Sequence, residues 1–482
     1  MTYRRLAVLL AASLTPLALS APAAHAASPA APFDFNGDGR ADLAIGAPGA
    51  TVGGKAKAGA VSVVYGSSTG LKSSTYQLIT QNTTGIPGAA ETDDAFGSAL
   101  ASADLDRDGY ADLVVGTPGE DLDGDTNDGM VAIVWGSKTG LSGGRELRND
   151  NHRENDRYGK ALAAGDFNGD GVPEVATGST GGFELNFVYG PFTRTGVFGG
   201  GKGGSMSGGS HPFSPSYGVE HLSSGDVMKR GFPQLIAHGR LDGTDDAVTT
   251  LVDGSIDNFN DWLVNLPAGH VSAVGDIDHD GYADIAVGNQ RETSADPAGA
   301  KGGKVTLWYG GPDGHDSGRA PLVITQDTAG VPGAAETGDA FGSAVSLGDI
   351  NGDTYADLAI GASGESTGAA TSTGSVTVLY GSALGLTAKG ATSYTQDTAG
   401  IPGAAEKSDH FGGRTSLLDH SGDRRADLSV SAPGENAGDG AVWALRSTAA
   451  GPTTSGATSF GPSTTGMSTT GSPGYGSTLG NR

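Results

Sequence analysis

A ten-residue acidic segment that occurs seven times is the feature that most restricts the fold of this chain. The copies are DFNGDGRADL from Asp34, DLDRDGYADL from Asp104, DFNGDGVPEV from Asp166, DVMKRGFPQL from Asp226, DIDHDGYADI from Asp276, DINGDTYADL from Asp349 and DHSGDRRADL from Asp419. Consecutive copies begin 50 to 73 residues apart. Self-similarity at such a period indicates a repeat architecture, so the sequence predicts seven copies of one structural unit.

Each unit has further landmarks in a fixed order. An aromatic-glycine pair such as Phe96-Gly97 precedes the decapeptide, and an apolar strand ending in Gly-Ala-Pro or a relative follows it. A second apolar strand with its own turn comes next, as in VAIVWGSKTGL from Val131. Short strands joined by glycine-rich turns, with no long helical periodicity, favour an all-β class. Seven units of four antiparallel strands predict a seven-bladed β-propeller with hairpin loops that bind calcium.

The first decapeptide has no aromatic-glycine pair before it, and the end of the chain offers the missing piece. The segment from Gly456 aligns with the repeat from Gly390 and ends in Tyr475-Gly476. We therefore predict that residues 475–482 form the inner strand of the first blade and close the ring. The alternative is a disordered tail, which the Ser/Thr-rich composition of this segment would favour.

The N-terminus reads as a secretory signal over residues 1–26. Arg4 and Arg5 precede an apolar run, and Ala24-His25-Ala26 resembles a cleavage site. The apolar run is shorter than a membrane span and no second run follows, so we expect no membrane anchor. Residues 27–482 are then a single propeller, secreted to the cell exterior.

Composition narrows the class of partner. The chain has 54 acidic and 29 basic residues, a net charge of −25, and no cysteine. Repulsion disfavours nucleic acids and anionic membranes, and disulfides cannot stiffen the loops. Bound cations fit this composition better.

The decapeptides have the chemistry of a calcium site. Positions 1, 3, 5 and 9 carry oxygen-bearing side chains, and position 7 can offer its backbone carbonyl. Such a set of hard oxygen ligands suits Ca²⁺ better than Mg²⁺ or a transition metal. The alternative is an Asp/Asn-rich turn that binds nothing. An EF-hand is excluded because the twelfth position is apolar, as at Ile45 and Val115.

Six decapeptides keep this set, which predicts about six Ca²⁺ ions. The predicted ligands are Asp34, Asn36, Asp38, Arg40 and Asp42; Asp104, Asp106, Asp108, Tyr110 and Asp112; Asp166, Asn168, Asp170, Val172 and Glu174; Asp276, Asp278, Asp280, Tyr282 and Asp284; Asp349, Asn351, Asp353, Tyr355 and Asp357; and Asp419, Ser421, Asp423, Arg425 and Asp427. Thr354 and Arg424 replace the glycine at position 6 in the last two copies, where we expect weaker binding. The Asp226 copy has lost its acids.

Phe96-Gly97, the Asp104–Asp112 loop and Gly116-Thr117-Pro118, in that order, resemble FG-GAP repeats. These units build the seven-bladed propeller of integrin α chains and occur in many secreted bacterial proteins. The resemblance implies calcium in the hairpin between the first two strands of a blade. Tyr158, Tyr217 and Ala268 depart from its phenylalanine.

No catalytic constellation is visible in the sequence. The G-x-S-x-G match from Gly66 lies in a strand-to-strand turn rather than the strand-to-helix elbow that a hydrolase needs. We therefore expect a monomeric extracellular binding or adhesion module whose partner is a protein or a glycan. An extracellular hydrolase or polysaccharide lyase built on a propeller is the alternative.

Overall fold

The computed structural model describes residues 29–122, 124–147, 155–181, 184–195, 201–204, 207–208, 211–253 and 263–481. Within these residues the strands form seven four-stranded antiparallel sheets. This confirms the predicted all-β propeller of seven blades. The signal segment predicted at 1–26 lies outside the described residues.

The strands are numbered in chain order. The first half contains β1 (Leu43–Ala47), β2 (Ala60–Val64), β3 (Tyr76–Ile79), β4 (Ala99–Ala103), β5 (Asp112–Thr117), β6 (Met130–Val134), β7 (Gly144–Leu147), β8 (Asn155–Gly165), β9 (Glu174–Gly181), β10 (Leu185–Val188), β11 (Gly201–Gly204), β12 (Ser207–Gly208), β13 (His211–Pro212), β14 (His221–Gly225), β15 (Gln234–Arg240), β16 (Ala247–Val252) and β17 (Leu263–Asn265). The second half contains β18 (Val271–Gly275), β19 (Asp284–Asn289), β20 (Lys304–Trp308), β21 (Leu322–Ile324), β22 (Phe341–Gly348), β23 (Asp357–Ala362), β24 (Ser375–Tyr380), β25 (Thr387–Tyr394), β26 (Arg414–Leu418), β27 (Asp427–Ala432), β28 (Ala441–Leu445), β29 (Ser447–Thr448), β30 (Gly451–Pro452), β31 (Thr458–Phe460) and β32 (Thr478–Leu479). Short helical segments occur at Glu435–Gly438 and Pro462–Thr465.

Each blade runs from an inner to an outer strand. Blades 1 to 7, in this order, are the sheets β32-β1-β2-β3, β4-β5-β6-β7, β8-β9-β10-β11, β14-β15-β16-β17, β18-β19-β20-β21, β22-β23-β24-β25 and β26-β27-β28-β31. The inner strands contact one another in the cyclic order β32, β4, β8, β14, β18, β22, β26 and back to β32. They surround a central channel, and the apolar core lies between the blades.

Neighbouring blades approach each other backbone to backbone. In blade 2, a Cβ added to Gly116 would clash with the carbonyl oxygen of Gly159 in blade 3, and one added to Gly361 would clash with Gly412 in the same way. The glycine of the Gly-Ala-Pro strand and that of the aromatic-glycine pair therefore face each other across the blade interface. Each motif requires the other because no side chain fits between the two strands.

The aromatic member of each pair is a buried anchor. Phe96, Phe341 and Phe411 are fully buried, and the backbone N–H of Phe411 donates to the Thr373 carbonyl of the preceding blade at 2.9 Å. Burial of such a ring contributes about 2–3 kcal/mol. One residue thus contributes both apolar area and an interblade hydrogen bond.

The C-terminal segment completes the first sheet. Thr478–Leu479 pairs antiparallel with β1, at Gly46 and Ile45. Tyr475 is fully buried, and its N–H donates to the Asp439 carbonyl at 2.9 Å, as Phe411 does one blade earlier. Gly476 has φ +87°, and its N–H donates to the Gly46 carbonyl at 3.0 Å.

We predict that this segment is required for full stability. Gly476→Val would force the valine into a strained positive φ, which costs about 1–3 kcal/mol. Its side chain would also clash with Ser431 and Val442. Deletion of 475–482 would remove the buried ring of Tyr475 and expose the edge of β1. We expect both variants to lower the thermal midpoint, measured by circular dichroism.

Gly456→Val is the matched control. Gly456 also has a positive φ, +78°, but nothing lies within 4 Å of an added Cβ. The difference between the two valine variants isolates the packing of Gly476. Equal midpoints for the deletion variant and the parent would show that the segment does not hold the ring closed.

Candidate metal centres

Six decapeptides form the hairpins between the inner and second strands of their blades, and the Asp34 copy directly precedes β1, whose inner neighbour is the C-terminal β32. Position 1 shapes each turn, since its carboxylate accepts the N–H groups of positions 5 and 6. Asp104, for example, accepts both Asp108 and Gly109 at 3.0 Å. Asp226, in the copy without the other acids, accepts the same two bonds at 2.7 Å. This part of the motif therefore forms a turn whether or not the remaining acids are present.

Positions 3 and 5 bring further carboxylates to two of the loops. Oxygens of Asp104, Asp106 and Asp108 lie within 4.8 Å of one another. In addition, Asp106 Oδ1 is buried and has no hydrogen-bond partner within the described residues. A buried acceptor of this kind, beside two more carboxylates, fits a hard cation such as Ca²⁺. The second cluster consists of Asp276, Asp278 and Asp284, at positions 1, 3 and 9.

The other four predicted loops have Asn or Ser at position 3 and converge less. In the Asp166 loop the Asn168 Oδ1 accepts the N–H of Asp170 at 2.8 Å, and its Nδ2 donates to Glu174 at 3.1 Å. The Asn351 Oδ1 accepts the N–H of Asp353 in the same way, at 2.8 Å. These side chains hold the turn with the oxygens that a cation would need.

Position 9 is the most buried carboxylate of each loop. Asp112 accepts the N–H of Leu105 at 2.9 Å and that of Gly136, in the turn after β6, at 2.8 Å. Burial raises the pKa of Asp112 to about 8, and that of Asp284 to about 7. A carboxyl group with so high a pKa is costly to ionise, and a bound cation would offset that cost.

Backbone hydrogen bonds also join neighbouring loops. The N–H at position 8 donates to the carbonyl at position 1 of the preceding blade, as for Ala111 to Asp34 at 3.0 Å and Ala426 to Asp349 at 2.7 Å. The Asp166 and Asp226 loops have Pro173 and Pro233 at this position, and proline has no N–H. The chain of bonds is therefore broken on both sides of blade 3.

Arginines lie against both carboxylate clusters. Arg194 donates to Asp106 Oδ2 and to Asp108 Oδ2, each at 2.7 Å, with its guanidinium over the Trp135 ring. Arg319 pairs with Asp278. These guanidinium groups were not identified from the sequence, because each lies at least 40 residues from its partner. They neutralise the carboxylates, and an arriving cation has to compete with them.

The repeated phrase TQDTAGIPGAAE belongs to the opposite face, where the outer strand of one blade leads to the next blade. Gln396 Nε2 donates to Glu435 Oε2 of the following blade at 2.5 Å. Gln81–Glu120 and Gln326–Glu365 repeat this pair. In the drifted final repeat Pro462 takes the place of the glutamine, and Ala50 takes that of the glutamate. The two positions change together, so the phrase forms a clasp between blades.

The G-x-S-x-G segment is a turn between β2 and β3. The Gly66 N–H donates to the buried Asp42 at 2.9 Å, and the Ser67 hydroxyl donates to the Gly70 carbonyl at 2.6 Å. The segment therefore supports the decapeptide loop of its own blade. It lies between two strands, as the sequence predicted, and is not a nucleophile elbow.

Comparison with known proteins gives one family and one group of relatives. Residues 25–64, 96–134, 158–196, 268–308 and 341–379 match the FG-GAP repeat. Phosphatidylinositol-glycan-specific phospholipase D from Bos taurus is 33% identical over 177 residues, covering 33% of this chain and 21% of that protein. The Rattus norvegicus enzyme of the same name is 34% identical over 162 residues, covering 33% and 19%. The chain therefore matches about a fifth of the length of these relatives.

We predict that removing Arg194 strengthens calcium binding at the Asp104 loop. Arg194→Gln removes a positive charge and two donors from ligand carboxylates, so the affinity of this loop should rise roughly threefold to tenfold. Calorimetric titration of calcium into the chelated protein measures it. Arg107→Gln makes the same charge change at position 4 of the loop. Equal tightening in both variants would show a general charge effect rather than competition by Arg194.

We also predict a pH dependence from the Gln–Glu clasp. Burial raises the pKa of Glu120 from its ordinary 4.5 to about 7. A carboxyl whose pKa is higher in the folded protein contributes most stability below pH 4.5, and that contribution is lost as the pH rises through about 7. Glu120→Gln should therefore gain about 2–3 kcal/mol relative to the parent between pH 5 and pH 8.

Urea unfolding at the two pH values tests this clasp prediction. Glu336→Gln is the control, because Glu336 is exposed and lies in a different blade connection. A Glu120→Gln variant whose stability relative to the parent does not change with pH would show that Glu120 is not held protonated by burial.

Proposed function

We propose that this chain, a propeller of FG-GAP repeats, is a secreted calcium-binding protein that acts as an extracellular binding or adhesion module. The Asp104 loop carries the proposal, since three carboxylates meet there around a buried oxygen without a partner in the described residues. The repeat family and the propeller fold support it. We expect the partner to be a protein or a glycan, and the protein to be a monomer.

Calcium would serve this protein as a structural cation. In each loop, the side chains at positions 1, 3, 5 and 9 and the carbonyl at position 7 would hold it. Its charge would offset the mutual repulsion of the carboxylates and the cost of ionising the buried one at position 9. Rigid loops on one face of the ring would then present a fixed surface to a partner.

The sequence supports secretion and disfavours some partners. The signal-like segment 1–26 supports export. The chain has no cysteine, which supports stabilisation of the fold by cations rather than by disulfides. In the described part of the chain, no helix is both long and apolar enough to cross a membrane. The charge of −25 disfavours nucleic acid as a partner.

An extracellular enzyme is the second candidate function. The relatives are named phosphatidylinositol-glycan-specific phospholipase D, and a hydrolase of this kind acts on a glycan-bearing substrate. The match covers about a fifth of the length of those proteins. The similarity therefore concerns the repeats and does not extend to the whole of their activity. Turnover on a panel of hydrolase and lyase substrates would support this candidate.

We predict that calcium raises the thermal stability of the protein. Chelation should lower the midpoint of unfolding, and calcium should restore it, because the loops oppose folding when their charges are unneutralised. Asp106→Asn should reduce the gain, whereas Asp242→Asn, in an exposed turn of blade 4, should not. Differential scanning calorimetry with and without EDTA measures the effect. A midpoint that EDTA leaves unchanged would contradict calcium binding by these loops.

The binding role is tested separately on a glycan array and with extracellular protein ligands. We expect retention that is lost with EDTA and regained with calcium. Retention unaffected by EDTA would show that the loops do not organise the binding surface.

A further inference from the structure

The central channel contains a cavity of about 450 Å³. All seven inner strands line it, together with residues near the calcium-loop end such as Pro32 and Asn481. This volume lies in the range of small-molecule sites. No predicted calcium ligand other than Asp166 lines the cavity, so the cavity is a site separate from the loops.

One set of equivalent positions on the seven inner strands has two unusual side chains. Strand pairing aligns seven equivalent positions, which are Thr478, Ala99, Ala161, His221, Val271, Ala344 and Arg414. Five of them are small or apolar side chains, as expected where blades converge. His221 and Arg414 bring an imidazole and a guanidinium into this layer, from blades 4 and 7.

Arg414 is a positive charge without a facing carboxylate. Its guanidinium donates to the Gly413 carbonyl at 2.8 Å and makes no ion pair within the described residues. A guanidinium has five donors, and a planar oxyanion can accept two of them side by side. The side chain is solvent-accessible, since it projects into the open channel.

His221 faces the same space. Burial, together with the positive charge of Arg414, lowers the pKa of His221 to about 4. Its Nδ1 is enclosed and has no hydrogen-bond partner in the described part of the chain, and its ring lies at 5.4 Å from that of His238 in a T-shaped arrangement. The cavity wall thus carries an imidazole and a guanidinium without a carboxylate bound to either.

The other charged groups on the cavity wall are already engaged. Glu220 accepts from Arg240 at 3.0 Å, and Lys160 donates to the Tyr217 carbonyl. Asp166 belongs to the turn of its own loop. Arg414 is therefore the charge in the described wall that most lacks a partner.

The open edges of the inner strands are suited to hydroxyl groups. The hydroxyls of Ser223, Ser272 and Thr415 also line the cavity, but they bond one another, His238 or Ser346. Each inner strand also pairs on one side only, so its second edge presents backbone N–H and carbonyl groups to the channel. Alternating donors and acceptors of this kind recognise a hydroxylated ligand better than an apolar one.

We propose that the central channel binds a small hydroxylated carboxylate of the uronic acid class, with the carboxylate held by Arg414, which lines the same cavity as His221, and the hydroxyls held by the open strand edges. The ligand is either a free sugar acid or the terminal residue of an acidic polysaccharide. This site does not depend on the calcium-dependent binding proposed above.

Calorimetric titration of the calcium-saturated full chain tests the proposal. The probes are galacturonate, its neutral methyl ester, acetate and oligogalacturonate. We expect galacturonate to bind, the ester and acetate to bind at least about tenfold more weakly, and Arg414→Gln to weaken galacturonate by about tenfold or more. Oligogalacturonate that matches galacturonate would identify a polysaccharide end as the source, and failure of the oligomer with galacturonate bound would identify the free acid.

Lys389→Gln is the matched control, because it removes one positive charge from an exposed position on an outer strand. Thermal midpoints confirm that each variant is folded. If Arg414→Gln does not fold, Arg414→Lys retains the charge without the planar fork and should still weaken galacturonate. Absence of galacturonate binding by the parent, equal binding of the ester, or unchanged affinity in the folded Arg414 variants would overturn the proposal. Each of these results would leave the calcium dependence of stability untouched.

Discussion

The closest interaction in this protein is between the backbones of adjacent blades, and the rest of the ring depends on it. A glycine on the second strand of one blade meets the glycine of the aromatic-glycine pair in the next, as Gly116 meets Gly159. Because no side chain separates the strands, the inner strands can converge on a narrow channel. The aromatic residue beside each second glycine then fills the wider space farther out. The contact recurs at Gly46–Gly97, Gly288–Gly342 and Gly361–Gly412, and at the junction of the last and first blades Gly476 lies against Ser431 instead.

The two faces of the ring are held by different chemistry. On one face, carboxylates shape the hairpins, and backbone hydrogen bonds pass from each loop to the next. On the other, the clasp exemplified by Gln396 and Glu435 joins neighbouring blades through a side-chain hydrogen bond, and burial raises the pKa of Glu435. Pro173 and Pro233 interrupt the hydrogen-bonded loops on either side of blade 3. Calcium bound in the loops from Asp276 round to Asp104 would therefore act on a continuous hydrogen-bonded arc, whereas the Asp166 loop lies outside it.

The sequence was sufficient to predict the fold and the loops because both are local patterns repeated many times. The decapeptide, the aromatic-glycine pair and their order fix the strand count, and the hydrogen bonds within a decapeptide join residues two to seven apart. The arginines at the carboxylates, the clasp and the channel chemistry are different. Arg194 meets Asp106 across 88 residues, and nothing in either local pattern indicates that pairing. Burial and register also decide whether an oxygen is available, as for Asn168, whose Oδ1 is used by the turn itself.

Blade 4 shows how the repeat tolerates a departure from its own rules. His238 occupies the position of the interblade glycine, and the next blade has Ala268 where the others have an aromatic residue. The imidazole is buried and bonds the Gly269 carbonyl at 3.0 Å and the Ser272 hydroxyl at 2.7 Å. A ring added to one strand thus accompanies a ring lost from the facing strand, which preserves volume across the interface. The same blade has lost its acidic loop and places His221 in the channel. Once such an exchange releases a blade from the backbone contact, its inner strand can carry a polar side chain such as His221 on the channel wall.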